Sequence, residues 1–162
     1  MQSTDITWVI GGPQGSGVES AANIFARACA VTGLQIFGKR EFYSNIKGEH
    51  SYFAVRISDK KIRSNVTGIT LLVAFDAETL LRHAEGVYDD GAIICDSDLM
   101  QIKVDEVPTL ESLFKSRLKE RLSSKNKEFS VKGLLDICKE RGVTIHLVSF
   151  KDILVSLAEE TQ

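Results

Sequence analysis

Apolar positions in this chain fall into two kinds of segment that take turns. Ile6 to Ile10 is a short apolar run, and Ile69 to Phe75 is nearly continuous, the mark of a strand covered on both faces. Longer stretches space their apolar residues by three and four. Val18, Ala21, Ala22, Phe25, Ala28 and Cys29 share one face of a helix that ends near Gly33. Leu34 to Phe37 then reads as the second strand of a β-α-β unit, which predicts parallel pairing with the first. Phe53, Val55 and Ile57 alternate with Tyr52, Ala54 and Arg56 as a strand with one buried face, and Asp59-Lys60-Lys61 turns it into a hairpin with Ile62 to Val66.

Asp76 is placed to cap a helix from Ala77 to about Glu85. Asp90-Gly91 reads as a turn into the strand Ala92 to Cys95, with Asp96-Ser97-Asp98 at its carboxyl end in a capping and turn-forming role. Pro108 opens a helix on which Leu110, Leu113, Phe114, Leu118 and Leu122 share a face, and 123–127 is a solvent loop. Ser130 caps a helix carrying Leu134, Leu135 and Cys138 toward Gly142. Val143 to Val148 is a final strand, with His146 a core or sheet-face residue, and Ser149 with Asp152 forms a capping box for the last helix. Strands alternating with helices over 162 residues, 43% of them hydrophobic, predict one domain. Its expected class is α/β, a three-layer sandwich with a mostly parallel central sheet and helices on both faces.

The first strand leads into Gly11-Gly12-Pro13-Gln14-Gly15-Ser16-Gly17 and so directly into the first helix. Four glycines there permit backbone dihedrals that a Cβ forbids, and bring N–H groups near whatever lies above the loop. With the positive end of the helix, such a loop suits an anion, usually a phosphate. Gly12 and Gly17 have the outer spacing of an NTPase phosphate loop, but Val18 and Glu19 replace its Lys and Ser/Thr, which argues against nucleotide hydrolysis. Gln14 likewise breaks the dinucleotide fingerprint. Ligand contact through Gly12, Gln14, Gly15, Ser16 and Gly17 and a purely architectural role both stand at this stage.

A second candidate site is the polar loop Tyr43 to His50, carried between two strands. Lys47 offers charge to a phosphate, Gly48 permits a tight turn, and Tyr43, Asn45 and His50 can hydrogen-bond a ligand or partner. No nucleophile nearby makes a triad, so no catalytic residue is assigned. The formal net charge of -2 conceals a basic segment: Lys39, Arg40, Lys47, Arg56, Lys60, Lys61 and Arg63 face only Glu41, Glu49 and Asp59. That suits a small anionic ligand or an ordinary solvated face. A slightly acidic whole with no recognition motif disfavours nucleic acid. Cys29, Cys95 and Cys138 are scattered in apolar contexts without a C-x-x-C pair, which assembles neither a zinc nor an iron-sulfur site and fits a reducing compartment. A polar N-terminus without a leader, and no apolar run of membrane-spanning length, give the cytoplasm as the expected location and no membrane partner.

Three stretches in order carry a resemblance. They are Ile10-Gly11-Gly12-Pro13-Gln14-Gly15-Ser16-Gly17-Val18-Glu19-Ser20-Ala21, then Glu41-Phe42-Tyr43-Ser44-Asn45-Ile46-Lys47-Gly48-Glu49-His50-Ser51-Tyr52, then Phe75-Asp76-Ala77-Glu78-Thr79-Leu80 with Asp96-Ser97 beyond. Over nearly its whole length the sequence resembles the γ domain of 2-oxoacid:ferredoxin oxidoreductases, in the form fused ahead of the thiamine-binding α portion. The resemblance implies a domain that helps frame the coenzyme A site and subunit assembly of an enzyme converting a 2-oxoacid and coenzyme A to acyl-CoA and carbon dioxide. Its implied partners are the α portion, the thiamine diphosphate-binding β subunit and, through the assembly, ferredoxin. Thiamine diphosphate and the iron-sulfur cluster belong to the rest of that assembly, so the chain alone is expected to be inert, with contacts to coenzyme A as its own share.

Two departures from the family pattern stand out. Lys47-Gly48-Glu49 replaces the frequent Arg-Gly-Gly, exchanging a bidentate fork for a point charge and adding an acid. The family's domain also usually continues through another helical stretch, so residues 1–162 read as a domain truncated at its C-terminus relative to a larger subunit. Two readings of other classes remain: a flavodoxin-like module binding FMN or a nucleotide by itself, and a structural interaction domain docking through the helix from Pro108 to Leu122.

Overall fold

The computed structural model of the chain describes residues 4–42 and 50–160. Six strands form one sheet: β1 (Asp5–Gly12), β2 (Gln35–Phe42), β3 (Ser51–Ser58), β4 (Ile69–Ala74), β5 (Val87–Asp96) and β6 (Thr144–Val148). Five helices accompany it: α1 (Val18–Val31), α2 (Ala77–His83), α3 (Ser112–Ser124), α4 (Val131–Glu140) and α5 (Phe150–Glu160). The strand order is β2-β3-β1-β4-β5-β6. β1, β4, β5 and β6 pair in parallel, while β3 runs antiparallel to both β1 and β2. Five of the six strands therefore point the same way. The α/β sandwich with a mostly parallel sheet is the fold read from the alternation of elements.

The expected β1-α1-β2 parallel pair does not form, because β3 inserts between its two strands. The hairpin that does form is β2–β3, joined across 43–50. The segment expected to pair back on β3, Ile62 to Val66, is not a strand. It belongs to an irregular connection across the sheet face, held by Arg56 Nη1 donating to the Ser64 carbonyl at 3.0 Å and by Asn65 Nδ2 donating to the Ala54 carbonyl at 3.5 Å. Arg56 also grips Asp5 with two hydrogen bonds of 2.9 and 2.7 Å, fastening β3 to β1. Asp90-Gly91, expected as a turn, lies inside β5 at a register shift opposite Ile69 to Leu71. A Cβ on Gly91 would come within 2.9 Å of the Thr70 carbonyl oxygen, so that close approach, not a reversal, is what glycine provides there.

Alternation along the strands splits the core into two. Val9, Leu72, Ala74, Ile93 and Cys95 point to one face, where Leu80 and Leu81 of α2, Leu118 and Leu122 of α3, and Leu134, Leu135 and Cys138 of α4 cover them. Trp8, Ile10, Val55 and Ile57 point to the other, against Val18 and Ala22 of α1. The caps read from sequence are in place. Asp76 accepts from the Thr79 amide at 2.8 Å, Ser130 from Gly133 at 3.1 Å and Ser149 from Asp152 at 3.2 Å. Two details differ. α3 begins at Ser112 and leaves Leu113 62% exposed, so its buried face is Leu118 and Leu122. His146 stands exposed on the edge strand β6, a sheet-face residue and not a core one.

Candidate functional site

The parallel strands β1, β4 and β5 all end at the same rim, where α/β folds collect ligands. β1 delivers the glycine loop there. Pro13 to Ser16 close a tight turn in which the Ser16 amide donates to the Pro13 carbonyl at 3.1 Å and Ser16 Oγ to the same oxygen at 2.6 Å. The third residue of that turn, Gly15, has φ +87°, and Gly17, the residue before α1, has φ +86°. Both conformations are left-handed, where a side chain is strained. Among the described residues no side chain caps α1, and its first residues, Val18, Glu19 and Ser20, line the adjacent cleft.

That cleft has a volume of about 220 Å³, with Gln14, Gly15, Gly17, Ser20, Arg40 and Phe53 among its walls. Arg40 Nη1 donates to Glu19 Oε1 at 2.7 Å, so a guanidinium and a carboxylate share the mouth. Both side chains are substantially solvent-exposed, and an exposed pair of this kind holds weakly enough to rearrange around a stronger anion. Arg40 is one cation of the basic segment in sequence; its two-residue alternation with Ile36 and Gly38 places it on the α1 face of β2.

The sequence-predicted residues do not all converge. Gln14, Gly15 and Gly17 line the cleft. Gly12 closes β1, its carbonyl accepting from Ser51 Oγ at 3.3 Å, and a Cβ there would meet Phe75 Cβ at 2.8 Å. Ser16 spends its amide and hydroxyl inside the turn. Tyr43, Asn45, Lys47 and Gly48 lie outside the described residues.

His50 is 2% exposed and belongs to a second arrangement. Its Nε2 faces Nε2 of His83 at 3.0 Å, and its Nδ1 lies 3.5 Å from Thr79 Oγ1. Thr79 donates its hydroxyl proton to Asp76 Oδ1 at 2.6 Å, so toward His50 it offers a lone pair. His50 therefore carries its proton on Nδ1, and its bare Nε2 accepts from His83 Nε2–H. Burial lowers the pKa of both imidazoles, that of His83 to about 4, and keeps the pair neutral near pH 7. Beside them Glu78, 7% exposed, is held by Arg82 at 2.7 Å and by the Thr109 hydroxyl. His50, Asp76 and Glu78 also line a cavity of about 340 Å³ with Pro13 and Phe75 on the inner side of the same rim. Sequence alone gave no reason to join His83 to His50, since their partnership depends on α2 packing against β1 and β4 beside the start of β3.

Burial pushes the Cys95 and Cys138 thiols up to about 11, so both behave as core residues; Cys29 is half-buried.

An α/β domain with a glycine turn at the rim of its first parallel strand is shared by many binding proteins. The family model described as "Pyruvate ferredoxin/flavodoxin oxidoreductase" matches residues 7–161, and the chain belongs to that family. It is 43% identical over 155 residues to the 2-oxoacid:ferredoxin oxidoreductase 1 subunit alpha of Sulfurisphaera tokodaii, and 39% identical over 158 residues to the corresponding alpha subunit of Saccharolobus solfataricus. These alignments take in 96% and 97% of this chain but 24% and 25% of the relatives, so the chain spans about a quarter of their length. Among solved structures, the fold is similar to a 2-oxoglutarate:ferredoxin oxidoreductase from Magnetococcus marinus with 2-oxoglutarate, coenzyme A and succinyl-CoA bound, at TM-score 0.56 and 18% identity over 90% of this chain and 33% of that one. It is also similar to the gamma subunit of a keto/oxoacid ferredoxin oxidoreductase from Geobacter sulfurreducens, at TM-score 0.51 and 25% identity over 59% of this chain and 52% of that one.

Proposed function

We propose that this chain is the γ-type domain of a 2-oxoacid:ferredoxin oxidoreductase and that its glycine turn meets the phosphate-bearing part of coenzyme A. The observation that carries the reading is the family match over 7–161, in which the alignable part of curated alpha subunits is this domain. In the working enzyme, a 2-oxoacid loses carbon dioxide, its acyl group passes to the coenzyme A thiol, and the released electrons go to ferredoxin. Thiamine diphosphate and the iron-sulfur cluster act in the remainder of that assembly, on the α portion, the β subunit and their neighbours. This chain contributes binding and placement.

The local chemistry fits an anion. The start of α1 lines the cleft beside Gly15 and Gly17, with no side-chain cap among the described residues to compete for its first amides. Arg40 adds a fork that exchanges Glu19 for a phosphate oxygen pair, and Lys47 adds a point charge from the loop after β2. Glu19 sets the threshold: a weakly charged group does not displace it.

Titration calorimetry with coenzyme A, dephospho-coenzyme A and FMN tests this, on the chain and on the assembled enzyme. Expected are salt-sensitive binding of coenzyme A, about tenfold weaker binding in Arg40→Ala, and tighter binding in Glu19→Gln, which removes the competing carboxylate charge. Unchanged affinity in all variants, Lys47→Ala included, would remove the coenzyme from this rim. Tight FMN binding by the chain alone would instead support the flavodoxin-like reading.

A further inference from the structure

The two faces of the sheet are unequally covered. On the side of α2 and α4 the core runs without interruption from Val9 to Val143 and is almost wholly buried. On the side of α1, burial stops at β1 and β3. Leu71 and Val73 of β4 and Phe75 just beyond it are only half-buried, although β4 is a central strand. The helix that returns on this side is α5. Its described ties to the sheet include two at its first residue: the Phe150 amide donates to Asp96 Oδ2 at 3.0 Å, and the Phe150 ring meets Phe75 edge-on at 5.4 Å. Every described side chain from Lys151 to Ala158 is exposed, including Ile153 at 47%, Val155 at 49% and Leu157 at 53%.

An 11-residue helix is marginal in water unless an apolar face is packed. Phe150, Ile153 and Leu157 follow one another at three- and four-residue spacing and so form one stripe. That stripe borders a groove of about 510 Å³ lined by Ser16, Phe75, Phe150 and Ile153. The groove is almost entirely apolar, and through Ser16 it is continuous with the glycine turn.

We propose that this groove, between α5 and the uncovered face of β4, is a docking surface for an apolar helix from the remaining part of the oxidoreductase. The identity of that partner rests on the function proposed above. Curated relatives carry about three quarters of their length outside the aligned domain, and that remainder has to contact it on some face. This face is the one where central-strand residues are only half-buried, where the apolar side chains of α5 are exposed, and where the surface adjoins the rim at which the reaction would be completed.

The test uses the assembled enzyme. This chain is co-expressed with a tagged remainder of the oxidoreductase, and recovery is compared for the unaltered chain, Ile153→Lys, Leu157→Lys and the control Leu113→Lys on α3. Lysine keeps helix propensity while removing the apolar contact. Recovery is expected to fall by about a hundredfold in the double variant Ile153→Lys/Leu157→Lys and to stay unchanged in the control. Hydrogen exchange on the unaltered protein is independent of any variant: α5 amides should exchange rapidly in the chain alone and become at least tenfold more protected in the assembly. Normal recovery of the double variant, or α5 protection that does not change on assembly, overturns the docking surface while leaving the family assignment standing. A dimer of the isolated chain that the double variant dissolves assigns the groove to a second copy and overturns it too. Absence of any co-recovery for the unaltered chain strikes at the proposed function instead.

Discussion

Between pH 7.5 and 5 the stability of this domain should fall by about 2 kcal/mol through His83 alone. In the folded chain its pKa is lowered from 6.5 to about 4, first by burial, then by the electrostatic influence of His50 and of the Arg82 guanidinium. A histidine whose folded pKa is depressed binds its proton more readily when unfolded. The stability it contributes is therefore complete above pH 6.5 and is withdrawn as the pH falls toward 4, where the full loss approaches about 3 kcal/mol. His50 shifts in the same direction: burial outweighs the opposing pull of Asp76 and Glu78, and Arg82 adds to the lowering. Urea unfolding followed by circular dichroism at pH 7.5, 6 and 5 measures the slope for the unaltered chain and for His83→Gln. The glutamine amide keeps a donor for His50 Nε2 and removes the titrating group. The unaltered chain should lose about 2 kcal/mol more than the variant over this window, because carboxylates titrate alike in both. Equal losses would refute the neutral, proton-sharing pair.

Ser130→Ala removes the acceptor that caps α4 at a site 2% exposed and should cost about 1 kcal/mol, read as a lower melting temperature without change in far-ultraviolet signal. Ile93→Ala, at 0% exposure in the center of β5, should cost about 2–5 kcal/mol in the same assay. With burial holding Cys95 and Cys138 near 11, native labelling by a thiol reagent at pH 8 should reach no more than one cysteine per chain, and all three only in denaturant.

What the sequence conveyed well was local. The glycine turn, the caps at Asp76, Ser130 and Ser149, and the central strand β4 each follow from residues within one turn of one another. What it concealed was lateral order. A strand, a helix and a strand predict neighbours in a parallel sheet. Here β3 takes the place beside β1 by antiparallel pairing along all eight residues of each, with Arg56 locked to Asp5 across the join. Hydrophobic alternation in β2 and β3 suits either arrangement, so the pattern had nothing with which to choose. The same holds for Asp90-Gly91, where a turn signal and a bulge signal are identical in sequence and only the approach of Thr70 distinguishes them.

The candidate site was legible in the same uneven way. Gly15 and Gly17 announce themselves, because positive φ next to a helix start leaves a mark in composition, and Gln14 comes with them as their neighbour in the turn. Arg40 and Glu19 leave less: strand alternation puts Arg40 on the α1 face, but the two are ordinary charges until β2 and α1 bring them to 2.7 Å over that turn. Their pairing changes the logic of the rim. A glycine turn with a free cation would accept any anion, whereas one whose guanidinium is already engaged discriminates by how much charge and how many oxygens a ligand offers in exchange. A phosphate competes for that fork on bidentate geometry and charge; a lone carboxylate on the same fork only matches Glu19. On the coenzyme reading proposed above, selectivity for a phosphate over a lone carboxylate would arise from one exposed ion pair, which is why Glu19→Gln is the variant that separates selectivity from affinity: it should tighten a carboxylate more than a phosphate and so narrow the gap between them.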